Sequence, residues 1–388
     1  MKNIAQSLIR LFRLRSAASR LFSLLGLVMV AAGGASGQTW SRCAFSESAA
    51  AACSGDGTTL YASHGRGSLG KSMDAGASWT DLGPIASWSF IACASDGMKV
   101  AGPADDGTMI ITTNGGADFF ESSPTNLLEL QCAAWSGSGN QLTAGFANAI
   151  YISTNNGAAW RITAAPATNS WQCLASSADG GILLAGQAGG QLFVSTNGGG
   201  VWGVAAAKIS TWLSAACTAD GAKMAVADGV AVGLSVDSGE TWVFNSISRA
   251  QPKCVATSAD GSMLLLGNVG NPFISRDFGA TWRQSLAPTT ATESVSCSAD
   301  GATLFADAPG FAVVAVAPPP LNFAEVSHQL VLSWPWPSSR YALQQSPDLS
   351  SMTWGGVTNN IVVTNYRNQV VLSRSAANAF YRLQGPNP

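Results

Sequence analysis

Ser72-Met73-Asp74-Ala75-Gly76-Ala77-Ser78-Trp79 is the first of six copies of one eight-residue phrase. The other copies close at Phe119, Trp160, Trp202, Trp242 and Trp282, so successive closing aromatics stand 40 to 42 residues apart. The third place holds Asp74, Asn114, Asn155, Asn197, Asp237 and Asp277, and the fifth is glycine throughout. Each residue type has a task in a turn. Asp or Asn accepts hydrogen bonds from turn N–H groups, glycine takes a positive φ, and the aromatic can pack between neighbouring units. A period near forty built from short strands and turns predicts radial repetition, the sequence mark of a β-propeller.

Between phrases the order is constant. An apolar run carrying a cysteine leads to an Asp-Gly type turn, a second strand, a Gly-rich loop and a third strand, and then comes the next phrase. Asp-Gly between apolar runs is a strong hairpin signal. Such turns fall at 55–57, 95–97, 137–140, 179–180, 220–221, 260–261 and 300–301, which predicts seven four-stranded blades. The last unit stops at Pro318-Pro319-Pro320 without a phrase or a fourth strand, while Gln38–Cys43 looks like a phrase ending with nothing before it. The N-terminal segment is therefore expected to supply the outer strand of the last blade and close the ring. The predicted all-β organisation is a signal peptide over 1–37, a seven-bladed β-propeller over 38–317, a Pro-rich linker over 318–322 and a small β-sandwich over 323–388. Alternating stretches such as Val331–Trp334 and Phe380–Leu383 carry that last reading. They resemble short C-terminal modules of secreted proteins from environmental bacteria.

Composition narrows the functions. Only 11% of residues are charged, the net charge is −2 and there are six lysines, so the basic footprint that nucleic acid needs is absent. Basic residues from Lys2 to Arg20 precede an apolar run over Leu21–Ala32 and small residues at Ala35-Ser36-Gly37, which reads as an export signal; a secreted, periplasmic or surface location is expected. The apolar run is short for a membrane span. Seven of the eight cysteines fall once per repeat, at Cys53, Cys93, Cys132, Cys173, Cys217, Cys254 and Cys297. If they occupy rotationally equivalent positions, their separation exceeds disulfide reach, and they are expected to be small buried hydrophobes of the innermost strand. Cys43 stands outside the series.

The phrase is the Asp-box, and the chain resembles the bacterial neuraminidase repeat proteins over about residues 38 to 317. That group includes sialidases, xyloglucan-degrading propellers, sortilin-type receptors and photosystem II assembly factors. The resemblance implies the propeller fold, and its sialidases imply a clamp of three arginines, a Tyr–Glu nucleophile and an Asp acid. Here Arg161 and Arg283 directly follow phrase tryptophans, Arg276 lies inside a phrase and Arg42 is on the closing strand, leaving Arg66 and Arg249 to reach a site. The sialidases' early Arg-Ile-Pro signature is also missing, so sialidase activity is not expected. Nor is the basic arginine patch of the photosystem II assembly members present, and the xyloglucan-cleaving members form their cleft from two propellers.

Strand alternation puts Asp-Gly turns and phrases at one end of the ring and the remaining loops at the other, where propeller ligands are expected. That loop face offers His64, Arg66, Asp105, Asp106, Gln187, Asp228, Asn268 and Asn271 from within the units. Between units it offers Glu47, Trp88, Glu129, Trp171, Trp212, Arg249, Lys253 and Glu293. Trp88, Trp171 and Trp212 could stack on sugar rings. The reading is a secreted, monomeric, non-catalytic binding propeller for an extracellular glycan, a surface polymer or a protein, with no metal and no cofactor. A glycoside hydrolase using loop-face carboxylates such as Asp105, Asp106, Glu129 or Glu293, and a structural envelope protein, are the alternatives.

Overall fold

A computed structural model describes residues 28–30 and 40–385, apart from 44–49, 64–66, 84–87, 125–128, 168–169, 206–207, 249, 288, 290, 309–310, 320, 327–328, 337–340, 348–352 and 373–378. The described chain is all β, arranged as nine four-stranded sheets. Seven of these follow one another between Trp40 and Val316. The first six are antiparallel meanders over 51–81, 92–122, 130–162, 171–204, 214–245 and 252–284. The seventh combines Ser294–Cys297, Thr303–Ala308 and Phe311–Val316 with Trp40–Arg42, which pairs antiparallel to Val313–Ala315 as the outer strand.

A belt of backbone hydrogen bonds joins the inner turns of the seven sheets into a circle. The N–H of Ala299 donates to the carbonyl of Gly55 at 2.8 Å, Gly55 to Ser95 at 2.8 Å, and Ser95 to Gly137 at 3.1 Å. The circle continues from Ser138 to Ala178, Ala178 to Ala219, Ala219 to Ala259 and Ala259 to Ala299, at 2.8 to 2.9 Å. Each turn feeding the belt is held by its own side chains. Asp260 Oδ1 accepts from the Ser258 hydroxyl at 3.0 Å and the Ser262 N–H at 2.9 Å, while Ser258 Oγ accepts the Met263 N–H. Asp56, Asp179, Asp220 and Asp300 repeat this pattern with Ser54, Ser177, Thr218 and Ser298. Such bonds satisfy turn amides that the strand ladders leave unpaired.

The repeated phrase is a tight turn between third and fourth strands. Its first-place hydroxyl, unremarked in the sequence, accepts the fifth-place glycine N–H, as Ser72 does from Gly76 at 2.8 Å, and donates to the third-place side chain. Fourth and fifth places both take positive φ, from Ala75 at 57° and Gly76 at 93° to Phe278 at 49° and Gly279 at 83°. A Cβ on Gly279 would stand 2.2 Å from a Leu234 methyl, so the fifth place is sterically closed as well. Within the chain, Asp and Asn copies differ in a correlated way. Asp74, Asp237 and Asp277 each take a hydroxyl from Ser78, Thr241 or Thr281 at the seventh place, whereas Asn114, Asn155 and Asn197 face Asp118, Ala159 and Val201. A carboxylate has a second oxygen to satisfy; an amide offers an N–H instead, and Asn114 gives its own to Asp118 at 2.9 Å.

The inner-strand cysteines do not share one position, which corrects the expectation from their spacing. Cys53, Cys93, Cys217 and Cys297 lie four residues before a turn glycine, and Cys132, Cys173 and Cys254 lie seven before it. Three residues is an odd step along a strand, so the two sets point to opposite faces of their sheets. The second set is buried beneath second-strand glycines: a Cβ on Gly145 or Gly186 would approach the Cys132 or Cys173 sulfur to 2.7 Å. The first set is only partly buried, against the expectation for all seven. All eight cysteines are free thiols, and burial raises each pKa, to about 11 for Cys43 and about 12 for Cys93, Cys173, Cys217 and Cys254. They are protonated at neutral pH and poor nucleophiles.

Beyond Pro319 two further four-stranded sheets share one core of Leu332, Trp334, Leu343, Val370, Leu372 and Tyr381. One of them includes Val28–Val30, which pairs in parallel with Ala379–Tyr381 and lies inside the expected signal segment. Among the described residues no helix is long and apolar enough to cross a membrane.

Candidate functional site

Trp88, Trp171 and Trp212 are not on the surface. They are 3%, 0% and 0% exposed, which overturns their expected role as sugar-stacking platforms. Each closes over a second-strand glycine: a Cβ on Gly102 would meet the Trp88 ring at 2.5 Å, and one on Gly186 would meet Trp212 Cβ at 2.7 Å. Trp171 covers Gly145 in the same way and packs edge-on to Phe193 at 5.7 Å between ring centroids. An indole buries more apolar area than any other side chain, and a glycine opposite it makes the slot. These residues wedge neighbouring sheets apart near the loop end of the ring.

The remaining candidates divide between two parts of the ring. Asp105 and Asp106 lie in a loop inside the second sheet and Glu129 precedes the third, while Glu293 opens the seventh. Asp106 caps its own turn, accepting the Thr108 N–H at 2.9 Å and its hydroxyl at 2.6 Å; those bonds hold its carboxyl below the usual range. Glu129 is exposed with a φ of 78°, and its carbonyl accepts from the Gln131 side chain. Arg66, Arg249, His64 and Glu47 lie outside the described residues. On the loop face, Asp106 and Asp228 are both held below the ordinary carboxylate range. A glycosidase acid needs a shift in the other direction.

A hydrogen-bonded polar construction on the loop face spans the fifth to seventh sheets. Asp228, with its side chain 1% exposed, receives the Lys208 ammonium at 2.6 Å, the Ser210 hydroxyl at 2.9 Å and the N–H groups of Val230 and Ala231. Burial pushes this carboxyl up, but the lysine and the three hydrogen-bond donors outweigh it and leave it below its ordinary value. Gly229 donates to the carbonyl of Pro252 at 2.9 Å, tying this loop to the start of the sixth sheet. There the buried Asn268 accepts the Gln251 N–H at 2.7 Å, and its carbonyl accepts the Thr292 N–H at 2.8 Å. Lys253 pairs with both oxygens of Glu293 at 2.7 and 2.8 Å across the sixth and seventh sheets.

On this hydrogen-bonded bed stand exposed apolar side chains: Leu213, Val230, Val269 and Leu286 are 41%, 68%, 50% and 77% exposed. Sequence reading missed them. The available signal was an apolar residue set between turn formers, as in Gly229-Val230 and Asn268-Val269-Gly270, where the repeat itself requires none. This end of the ring therefore carries hydrogen-bonded polar groups, exposed apolar side chains and a lysine–carboxylate pair. Among the described residues no group of His, Cys, Asp and Glu could hold a metal ion.

No protein-family model matches the chain, and no curated protein matches it. Solved structures do match in shape. YCF48 from Cyanidioschyzon merolae is 16% identical with a TM-score of 0.54, covering 72% of this chain and 98% of that one. A structure of YCF48 bound to D1 peptide is 16% identical with a TM-score of 0.56, covering 76% of this chain and 98% of that one. The likeness is one of fold, an all-β propeller of repeated antiparallel sheets.

Proposed function

We propose that this protein is a secreted, non-catalytic binding propeller of seven Asp-box blades, followed by a β-sandwich, whose loop face over the fifth to seventh sheets grips an exposed segment of another extracellular protein. One observation carries the choice of partner. Leu213, Val230, Val269 and Leu286 are all exposed at the loop end of the fifth to seventh sheets, where Asp228 and Asn268 tie down the neighbouring loops and Lys253–Glu293 joins the sixth and seventh sheets. Apolar anchors beside a charged rim suit a peptide segment, whose side chains bury area and whose ends carry charge. That a propeller of similar shape has been solved bound to a peptide agrees with this reading. A glycan reading now lacks the three tryptophans that would have served it. For the hydrolase alternative, Asp106 is committed to its own turn and held ionised, the opposite of what a glycosidase acid needs.

The test is a display selection of random extended peptides on the purified protein, repeated on a Leu213→Asp/Val230→Asp variant. Enriched peptides that lose binding to the variant, while its melting curve is unchanged, support the proposal. Peptides that bind both proteins equally would place the site elsewhere. Retention of a polysaccharide by the wild type but not by the variant would return the glycan reading.

A further inference from the structure

The C-terminal module touches the turn end of the propeller at the fifth and sixth sheets. Ile361–Thr364 and Arg367–Leu372 form a hairpin whose two-residue tip, Asn365-Tyr366, has φ values of 50° and 56°. Two successive left-handed residues make the tight hairpin turn that usually calls for Asn-Gly. A tyrosine in the second place is unfavourable by about 1 kcal/mol or more, and persists where surrounding contacts fix it. Here those contacts are on the propeller. Tyr366 donates its hydroxyl to the carbonyl of Ala219, a member of the belt, at 3.4 Å.

The next residue, Arg367, reaches Asp260 Oδ2 at 2.6 Å, with the two side chains 21% and 9% exposed. Asp260 is well suited to receive it. Its Oδ1 is committed to the Ser258 hydroxyl and the Ser262 N–H, and its Oδ2 is directed at the guanidinium. Lys223 lies on the other side of the same turn, donating to the Asp260 carbonyl at 3.3 Å. Around the circle the equivalent place holds Asp56, Asp96, Asp179, Asp220 and Asp300, with Ser138 in the third sheet. A cationic hairpin tip thus meets a ring of carboxylates that the repeat produces for its own turns.

We propose that this contact is a latch: the C-terminal module docks on the Asp-turn end of the propeller through Tyr366 and Arg367, and pivots on the Pro-rich linker when the latch is broken. The Tyr341 hydroxyl, bonded to the Ala317 carbonyl at 3.2 Å, is a second tie at the foot of the linker, so release turns the module and does not detach it. A shielded ion pair of this kind contributes specificity of placement more than net stability, and removing one partner leaves the other charge uncompensated. The inference stands independently of what the loop face binds.

The test uses the full chain. Small-angle scattering and limited proteolysis of the linker are compared for wild type, Arg367→Glu and the charge swap Arg367→Asp/Asp260→Arg, with near-ultraviolet dichroism to confirm that each is folded. The expected result for Arg367→Glu is an increased radius of gyration and linker cleavage on the order of tenfold faster, since cleavage follows the population of the open form. The swap should restore both. Equal scattering and cleavage in wild type and Arg367→Glu would overturn the latch, as would a folded swap variant as open as Arg367→Glu. If the swap variant does not fold, Arg367→Ala decides: an increased radius with faster linker cleavage supports the latch, and wild-type values for both overturn it.

Discussion

The two ends of the propeller follow opposite rules. At the turn end every sheet does the same thing: an Asp or its substitute caps a turn, a backbone bond passes to the next sheet, and the circle closes from Ala299 to Gly55. At the loop end the polar groups of the described loops differ from sheet to sheet. Asp228 takes a lysine, Asn268 takes a backbone N–H, and Asp106 caps only its own loop. Repetition is what a closed ring needs, because each turn must meet a copy of itself. Recognition needs the reverse, since a ligand is asymmetric and only departures from the repeat can distinguish it. Periodicity in this chain therefore marks scaffold, and its interruptions mark candidates for function.

The sharpest way to break that division is through the buried tryptophans, which lie toward the loop end and belong, on this view, to the scaffold. Trp171→Ala and Trp212→Ala should each lower stability by about 3–5 kcal/mol, the usual loss for a fully buried large aromatic. Val230→Asp on the same end should change it by less than about 0.5 kcal/mol. Equilibrium denaturation measures both. A tryptophan variant as stable as wild type would mean that the indole is not a wedge between sheets and would reopen its role at the rim.

Closure comes next in size. Deleting residues 38–43 removes the strand Trp40–Arg42, the buried Cys43 and the Arg42 guanidinium stacked 3.7 Å above Phe311. The seventh sheet would then expose the edge of Phe311–Val316. A loss of about 2–3 kcal/mol is expected, with hydrogen exchange faster first along that strand. Protection in the seventh sheet equal to that of the wild type would show that the ring does not depend on its N-terminal strand.

Legibility in the sequence followed the same boundary. Ser72–Trp79 and its copies disclosed the turns, because Asp, Gly and an aromatic at fixed spacing have local hydrogen-bonding and steric meaning. Trp40 was legible as a phrase ending with no beginning. The tryptophans misled, because position next to a loop says nothing of burial; the glycine that receives each one lies 14 residues on for Trp88 and in the preceding sheet for Trp171 and Trp212. The cysteines misled through counting by repeat without counting to the turn. Four residues against seven before the glycine was visible all along, and the parity decides which face is taken. The contact of Arg367 with Asp260 joins residues 107 apart and leaves no local trace.

The smallest expected effect tests the turn end itself. Asp74 and Asp237 have pKa values lowered to about 2 by hydrogen bonds, first from the seventh-place hydroxyl of Ser78 or Thr241 and then from its N–H; Asp277 is lowered in the same way by Thr281. A carboxylate whose folded pKa is depressed contributes stability that is present above its unfolded value, 3.8, and is lost as pH falls toward about 2. The Asn copies at 114, 155 and 197 have no such dependence, since an amide does not titrate in this range. Converting Asp74, Asp237 and Asp277 together to Asn should therefore lower the melting temperature slightly at neutral pH, through loss of the three hydroxyl bonds. The difference from wild type should shrink between pH 3.8 and about 2 as the wild-type carboxylates protonate. Solvent screening keeps the effect small, because all three side chains lie at the surface. Melting curves of the two proteins that stay parallel through that window would mean that the seventh-place hydroxyl, and not the charge it accompanies, is what the Asp copies of the turn require.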